Sequence, residues 1–350
     1  MLFRSMPSRY YVLGLLDMYT NPFGYIGSRT TGNAAGVFLL HGPDWSGDVP
    51  EGMRTVASPT NDVWLIGRIL VEGQGDLATA VALQSELAIE ALPGSAAQVP
   101  SLIDAAMKPQ ERIADPVHFV EVVNSVLASN LPPREERDAV AKFALCGIGA
   151  GRRGTELTDA QRHALSRAIA HVTQTLAGAA PAMLEGGWTM PVKVSGSFGT
   201  DYRSRALVAL KYIGALGMAE AMYVIAERDA DGELLAGDAT YILRFAPGCA
   251  PQTDAFWSLT AYDAASCLLV ENAAGRYSVG DRTRGLAFDA GGSLRIALSQ
   301  HEPSDPTLRC NWLPIPPGHF YIALRLYAAR AAHVNGVFRY PPVVRQRAEG

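Results

Sequence analysis

The hydrophobic period of this 350-residue chain changes twice, and that change limits its fold more than any motif does. Tyr11, Leu13, Leu15, Asp17 and Tyr19 recur at every second position, as side chains on one face of a pleated strand do. Asn33 to His41 and Asp62 to Val71 are similar short apolar runs. The turn dipeptides Asn21-Pro22, Gly42-Pro43 and Ser58-Pro59 punctuate these strands. From Asp76 the spacing becomes helical. Asp115 before Pro116 predicts a capped helix start, with Phe119, Val123 and Val126 or Leu127 on one stripe. Thr158 to Gln161 reads as a capping box ahead of Leu165, Ile169, Val172 and Leu176. One more helix is predicted over about Asp201 to Leu216, and then alternation returns. Leu294, Ile296 and Leu298 follow a turn at Asp289 to Gly292. The last strand puts Phe320, Ile322, Leu324 and Leu326 on one face, and His319, Tyr321, Arg325 and Tyr327 on the other.

These patterns predict a mainly β protein with a helical segment. An N-terminal β-sandwich domain is expected over 1–75, a helical unit over 76–185 and a C-terminal jelly-roll-like β-sandwich over 186–350. The length suits two or three domains. A net charge of −4 with no basic run argues against a nucleic-acid partner. No apolar run approaches the roughly 18 residues that a membrane-spanning helix needs, so no membrane span is expected. The chain enters an apolar strand near Tyr10 with no leader before it, so its start reads as N-terminally truncated. The compartment therefore stays open, and export to the periplasm or outside follows if a leader is missing.

Motifs of known chemistry are few. Gly149, Gly151 and Gly154 fit G-x-G-x-x-G, but a helical pattern precedes them and no acidic residue follows at the required distance, so a linker is expected. Cys146, Cys249, Cys267 and Cys310 lack metal-site spacing and read as unbridged thiols packed as small hydrophobes. The histidines do not cluster with carboxylates. Neither a metal nor a cofactor is expected.

Polar, arginine-bearing segments set in apolar strands carry the chemistry instead. They are Asp17, Tyr19 and Asn21 with Arg29 and Thr30; Arg68; Asp201 and Tyr202 with Arg205 at a helix start; Asn272, Arg276, Tyr277, Asp281 and Arg282; and Arg325 with Tyr327. A guanidinium inside a strand needs a carboxylate partner or a wet cavity. Asp17, Asp201 and Asp281 are the partners expected for Arg68 and Arg325. The aspartates also serve as candidate acid/base groups, and Tyr19, Tyr202 and Tyr277 as candidate proton donors. The arginines and their polar neighbours would read a carboxylate or phosphate.

At these residues the chain resembles a known pair of families. Asp17 to Asn21, Arg29 to Gly32, Gly42-Pro43, Ser58 to Thr60, Trp64 and Gly67-Arg68 resemble the domain of unknown function 1254. Gly199 to Tyr202 with Arg205, Phe256 to Thr260, Glu271-Asn272, Arg276 to Ser278, Gly280 to Thr283, Asn311 to Pro314 and Leu324 to Tyr327 resemble its partner, domain 1214. The resemblance implies two β-sandwiches and a helical segment, and it carries no catalytic assignment. Two function classes follow. In one, the protein binds, and hydrolyses or cleaves, a small anionic or carbohydrate-like ligand in an Arg/Asp/Tyr-lined cavity between the β domains. In the other it is a non-catalytic binding or scaffold protein whose polar residues are structural salt bridges. Homo-oligomers are compatible with both.

Overall fold

The computed structural model describes residues 2, 3, 6, 9–92, 114–190, 193–194 and 196–346. The chain forms two compact units, one of residues 1–179 with 196–214, the other of 180–195 with 215–350. It is β-rich, with sandwiches and a helical segment.

In the first unit β1 (Leu2–Phe3), β4 (Gly36–His41) and β5 (Arg54–Ala57) form one sheet, in the order β1-β4-β5. A second sheet has β2 (Tyr11–Leu16) between β3 (Pro22–Gly27) and β6 (Trp64–Ile69). Tyr11, Leu13 and Leu15 pack with Ile26, Phe38 and Leu40, so both sheets share one core. Every residue of β2 is buried, which explains why apolar residues occupy both of its faces. β4 and β5 run parallel, a pairing that alternation alone does not reveal.

Helices then follow at Leu77–Ser85, Pro116–Ser129, Arg137–Lys142 and Asp159–Ala177, with residues 93–113 outside the described set. Asp115 caps the second of these through the amides of Val117 and His118. Thr158 and Gln161 form the reciprocal capping box that their spacing predicts. The glycine-rich stretch is a loop folded around buried Asn124, whose amide group donates to Gly147 O and Arg152 O and accepts from Gly149 N. The helix near Asp201 spans Tyr202–Lys211, ending before the expected Leu216, because Tyr212 leaves helical geometry at φ −137°, ψ 31° and Gly214 follows at a left-handed φ of 78°. The segment 196–214 packs with the N-terminal unit, although its position in the chain reads as the start of the C-terminal domain.

The second unit is a two-sheet sandwich. Its larger sheet has the order β12 (Val279–Gly280), β11 (Thr253–Asp263), β15 (Phe320–Ala329), β9 (Ala221–Ala226), β8 (Trp188–Met190), β7 (Ala182–Met183). The smaller has β14 (Trp312–Pro314), β13 (Leu294–Ser299), β10 (Tyr241–Phe245) and β16 (Val343–Arg345). Val224, Trp257, Leu259, Leu324 and Leu326 from the first meet Tyr241, Leu243, Phe245, Ile296 and Leu298 from the second. Each such side chain contributes about 1.5–3 kcal/mol. The opposite residues of β11, β15 and β9 therefore form the outer face of the large sheet. The cysteines depart from expectation: Cys146, Cys249 and Cys267 are exposed and Cys310 is half-buried, all as free thiols. They sit in loops and helix ends, where nothing packs over them as it would over a core hydrophobe.

Candidate functional site

Asp17, Tyr19, Asn21, Arg29, Thr30, Arg68, Asp201, Tyr202 and Arg205 fall in the first unit, and Asn272, Arg276, Tyr277, Asp281, Arg282, Arg325 and Tyr327 in the second. Most of the first group is engaged within its own unit. The β2–β3 turn reverses tightly, with Thr20 at φ 64°, and buried Asp17 holds it. Its carboxylate accepts the amides of Tyr19 and Asn21 and the Asn21 side-chain amide, each at 2.9 Å. Asn21 Oδ1 in turn accepts Phe198 N–H at 3.0 Å and so anchors the returning segment. The Tyr19 hydroxyl donates to Asn130 O at 2.8 Å. Burial first, then the negative charges of Glu136 and Asp17, push its phenol up to about 12.

Arg205 makes a fork-to-fork ion pair with Glu136, both bonds at 2.7 Å, and also donates to Gly199 O at 3.1 Å. Its guanidinium lies 5.8 Å from the Tyr202 ring. The Glu136 side chain is 3% exposed. Asp201 is exposed and caps the helix through Ser204 N, and the Ser204 side chain, then its backbone amide, hold the Asp201 carboxyl below the ordinary range. Arg29 lies over the Tyr25 ring, exposed Thr30 donates to Tyr25 O, and half-buried Arg68 stands opposite Val12 on β6.

In the second unit one Arg276 nitrogen donates to the carbonyls of Arg309, Cys310 and Trp312 at 3.1–3.2 Å. Asn272 closes the loop below it by bonding Val270 O, Arg276 O and Arg276 N. Asp281 accepts Trp257 N–H at 3.0 Å beside the bulge in β11, and partial desolvation lifts its carboxyl above the ordinary range although the residue lies at the surface. Tyr277 and Arg282 are exposed. The expectation that Asp281 neutralises Arg325 is corrected here, because that carboxylate is turned to the backbone of β11.

Arg325 differs from the others. It lies mid-strand on β15, paired across to Ser258 on one side and Tyr223 on the other. Small, buried Thr260 and Ala323 leave room for its side chain to lie along the sheet towards Tyr262. There it donates to the Tyr262 hydroxyl at 2.6 Å. Its guanidinium carbon is 5.2 Å from the Tyr262 ring centroid and 5.8 Å from that of Tyr223. Tyr262 stacks on Tyr321 at 5.3 Å, and Phe256 stacks on Tyr327 at 4.3 Å six residue pairs further along. Burial, with Cys267 and Tyr262 nearby, pushes the Tyr321 phenol up to about 12. Among the described residues no carboxylate forms an ion pair with Arg325. Tyr223 and Tyr262 were not singled out from sequence, and Tyr321 was placed on the face of Arg325 without a site role, although outward positions on neighbouring strands were a usable signal. Glu136 had no such signal, since nothing in a helical segment marks the partner of an arginine 69 residues away.

Among the described residues no three His, Cys, Asp or Glu side chains gather closely enough to hold a metal ion. No described helix is long and apolar enough to cross a membrane. Comparison with solved structures finds the VPA0106 protein from Vibrio parahaemolyticus, 25% identical, with a TM-score of 0.76 over 99% of this chain and 84% of that one. A putative uncharacterized protein from Burkholderia cenocepacia is 13% identical over 55% of this chain and 45% of that one, and its TM-score of 0.27 supports no comparison of architecture. No curated protein matches the chain. The family profile described as protein of unknown function DUF1254 matches residues 4–91, and that described as protein of unknown function DUF1214 matches residues 220–331. The chain belongs to this pair of families, with its DUF1254 region at the N-terminal end and its DUF1214 region at the C-terminal end.

Proposed function

We propose that the C-terminal unit binds a small carboxylated or phosphorylated ligand on the outer face of its large sheet, at Arg325. The observation that carries this reading is a half-buried guanidinium whose charge no described carboxylate offsets. A half-buried cation held by a neutral phenol retains most of its attraction for an anion. Tyr223 and Tyr262 fix its plane, which favours the two-pronged recognition that a carboxylate or phosphate allows. Tyr321, with its phenol near 12, serves as a hydrogen-bond donor and not as a base at neutral pH. Binding, rather than cleavage, is the activity this set of groups supports. The scaffold reading draws on a different observation: Glu136 accepts two bonds from Arg205, and three backbone carbonyls accept from one nitrogen of Arg276.

A thermal-shift screen of sugar acids, dicarboxylates and phosphates tests the proposal. A ligand that binds only the folded unit stabilises it by about 2.7 kcal/mol at a hundred times its dissociation constant. Neutral analogues of the same shape should do much less. Arg325→Lys should weaken the shift, since a point charge cannot reproduce the planar fork, and Arg325→Ala should abolish it. If no anion shifts the wild type while Arg325→Ala is severely destabilised, the arginine is structural and the scaffold reading stands.

A further inference from the structure

The small sheet of the second unit carries a cavity of about 500 Å³ on its outer face, and none of the candidate residues above lines it. Its origin lies in topology. β13 and β14 are parallel, so the chain between them must cross over the sheet, and it does so through residues 300–305 and the short helix Pro306–Cys310. Ile242 and Ala297 of the sheet make an apolar floor under this crossing, and Leu308 of the crossing helix adds an apolar side. Thr240, Gln300, His301 and Gln346 stand around it.

Every charged side chain in the wall has an opposite charge nearby. Arg295 holds Asp289 at 3.0 Å and Asp305 at 3.5 Å. Asp238 faces Arg345 at 3.7 Å, and Glu302 faces Arg309 at 3.5 Å. Together with their partners these groups carry a net charge of −1, so the wall offers an anion no unpaired positive charge, in contrast to Arg325. What remains for a ligand is a set of uncharged donors and acceptors above an apolar floor, in a volume typical of small-molecule sites. We infer that this cavity is a second binding site, selective for an uncharged polyhydroxylated ligand of monosaccharide size. The C–H face of a sugar ring would lie on Ile242 and Leu308, with its hydroxyls towards Thr240, His301 and Gln346. The site is independent of Arg325, which lies on the opposite sheet of the same sandwich.

Saturation-transfer NMR on the full chain, with D-glucose, D-galactose and D-glucuronate as probes, tests this. At least one neutral sugar should give a transfer signal with the wild type and with Arg325→Ala. Thr240 and Gln346 are exposed at the rim, so Thr240→Trp and Gln346→Trp should plug the mouth without unfolding the unit. Each should weaken binding at least about tenfold. Absence of signal from both neutral sugars overturns the assignment, as does a signal that survives both plugs. Tighter binding of glucuronate than of glucose in Arg325→Ala overturns the neutral-ligand choice.

Discussion

Removing either partner of the Arg205–Glu136 pair should cost the first unit several kcal/mol, and the two losses should differ. The pair is bidentate at 2.7 Å, with 14% of the Arg205 side chain and 3% of the Glu136 side chain exposed. Breaking a buried pair by deleting one partner costs about 3–5 kcal/mol, mostly because the remaining charge is stranded. Glu136→Gln strands the more exposed guanidinium, which keeps Gly199 O and the face of Tyr202, so its loss should sit near 3 kcal/mol. Arg205→Met strands the more deeply buried carboxylate, and its loss should lie nearer 4 kcal/mol. The apolar pair Glu136→Leu with Arg205→Met strands nothing, and it should stay within about 1 kcal/mol of the wild type. Because the chain has two units, a global melt would mix them. Hydrogen exchange on peptides covering 134–142 and 202–211, followed through a urea series, reads this unit alone. A second readout is Tyr19, whose phenol Glu136 helps to raise. In Glu136→Gln its phenolate should appear at lower pH, yet still above the ordinary value of 10, since burial is the larger cause. Single losses below about 1 kcal/mol with no coupling would refute the reasoning, placing the pair with solvent-screened surface bridges.

Three further outcomes follow from the structure. His333 is fully buried, and its Nε2 accepts Gln252 N–H at 3.0 Å, so Nδ1 carries the proton and donates to Tyr340 at 2.8 Å. Burial lowers its pKa from 6.5 to about 4. The unfolded chain takes up this proton below pH 6.5 and the folded one only near 4, so stability of the second unit should fall as pH drops through that window, by roughly 3 kcal/mol in all. His333→Gln should flatten this part of a pH–stability curve. Gly154→Ala should cost about 1–3 kcal/mol in a denaturant titration, because the added Cβ would meet Val117 O at 2.2 Å. Arg276→Met should lower the thermal midpoint of the second unit by about 1.5–3 kcal/mol equivalent, as three carbonyls lose a charged donor, and Arg276→Lys should recover only part of it.

Local chemistry made much of this fold legible. Asp115-Pro116 and Thr158 to Gln161 mark helix starts because capping is a property of adjacent residues, and both caps form as their sequences require. Alternation over Leu294, Ile296 and Leu298 fixed the inner face of β13 for the same reason. The parallel ladders of β4 with β5 and β13 with β14 were not legible, since a strand's own residues do not record its neighbour's direction. Nor was the return of 196–214 to the first unit, where Asn21 bonds Phe198 across 177 positions and Glu136 pairs with Arg205 across 69. The site divides in the same way. Arg325 stood out as a cation in an apolar strand, but the tyrosines around it come from three strands whose order only tertiary pairing sets.

The arginines show why residue type alone could not separate a site from a scaffold. Arg205, Arg276 and Arg325 were equivalent in sequence: each is a cation beside aromatic and polar residues in the segments that carry the family resemblance. The structure gives them three different partners, a carboxylate, a set of carbonyls and a phenol. Only the first cancels the charge outright. Three carbonyls converge on one nitrogen of Arg276 and set three partial negative charges against its guanidinium. A single phenol on Arg325 occupies one nitrogen of a group that carries five N–H donors, while the flanking rings hold its plane. Affinity for an anion should therefore concentrate at Arg325, and substitutions at Arg205 or Arg276 should change stability without changing which anions bind.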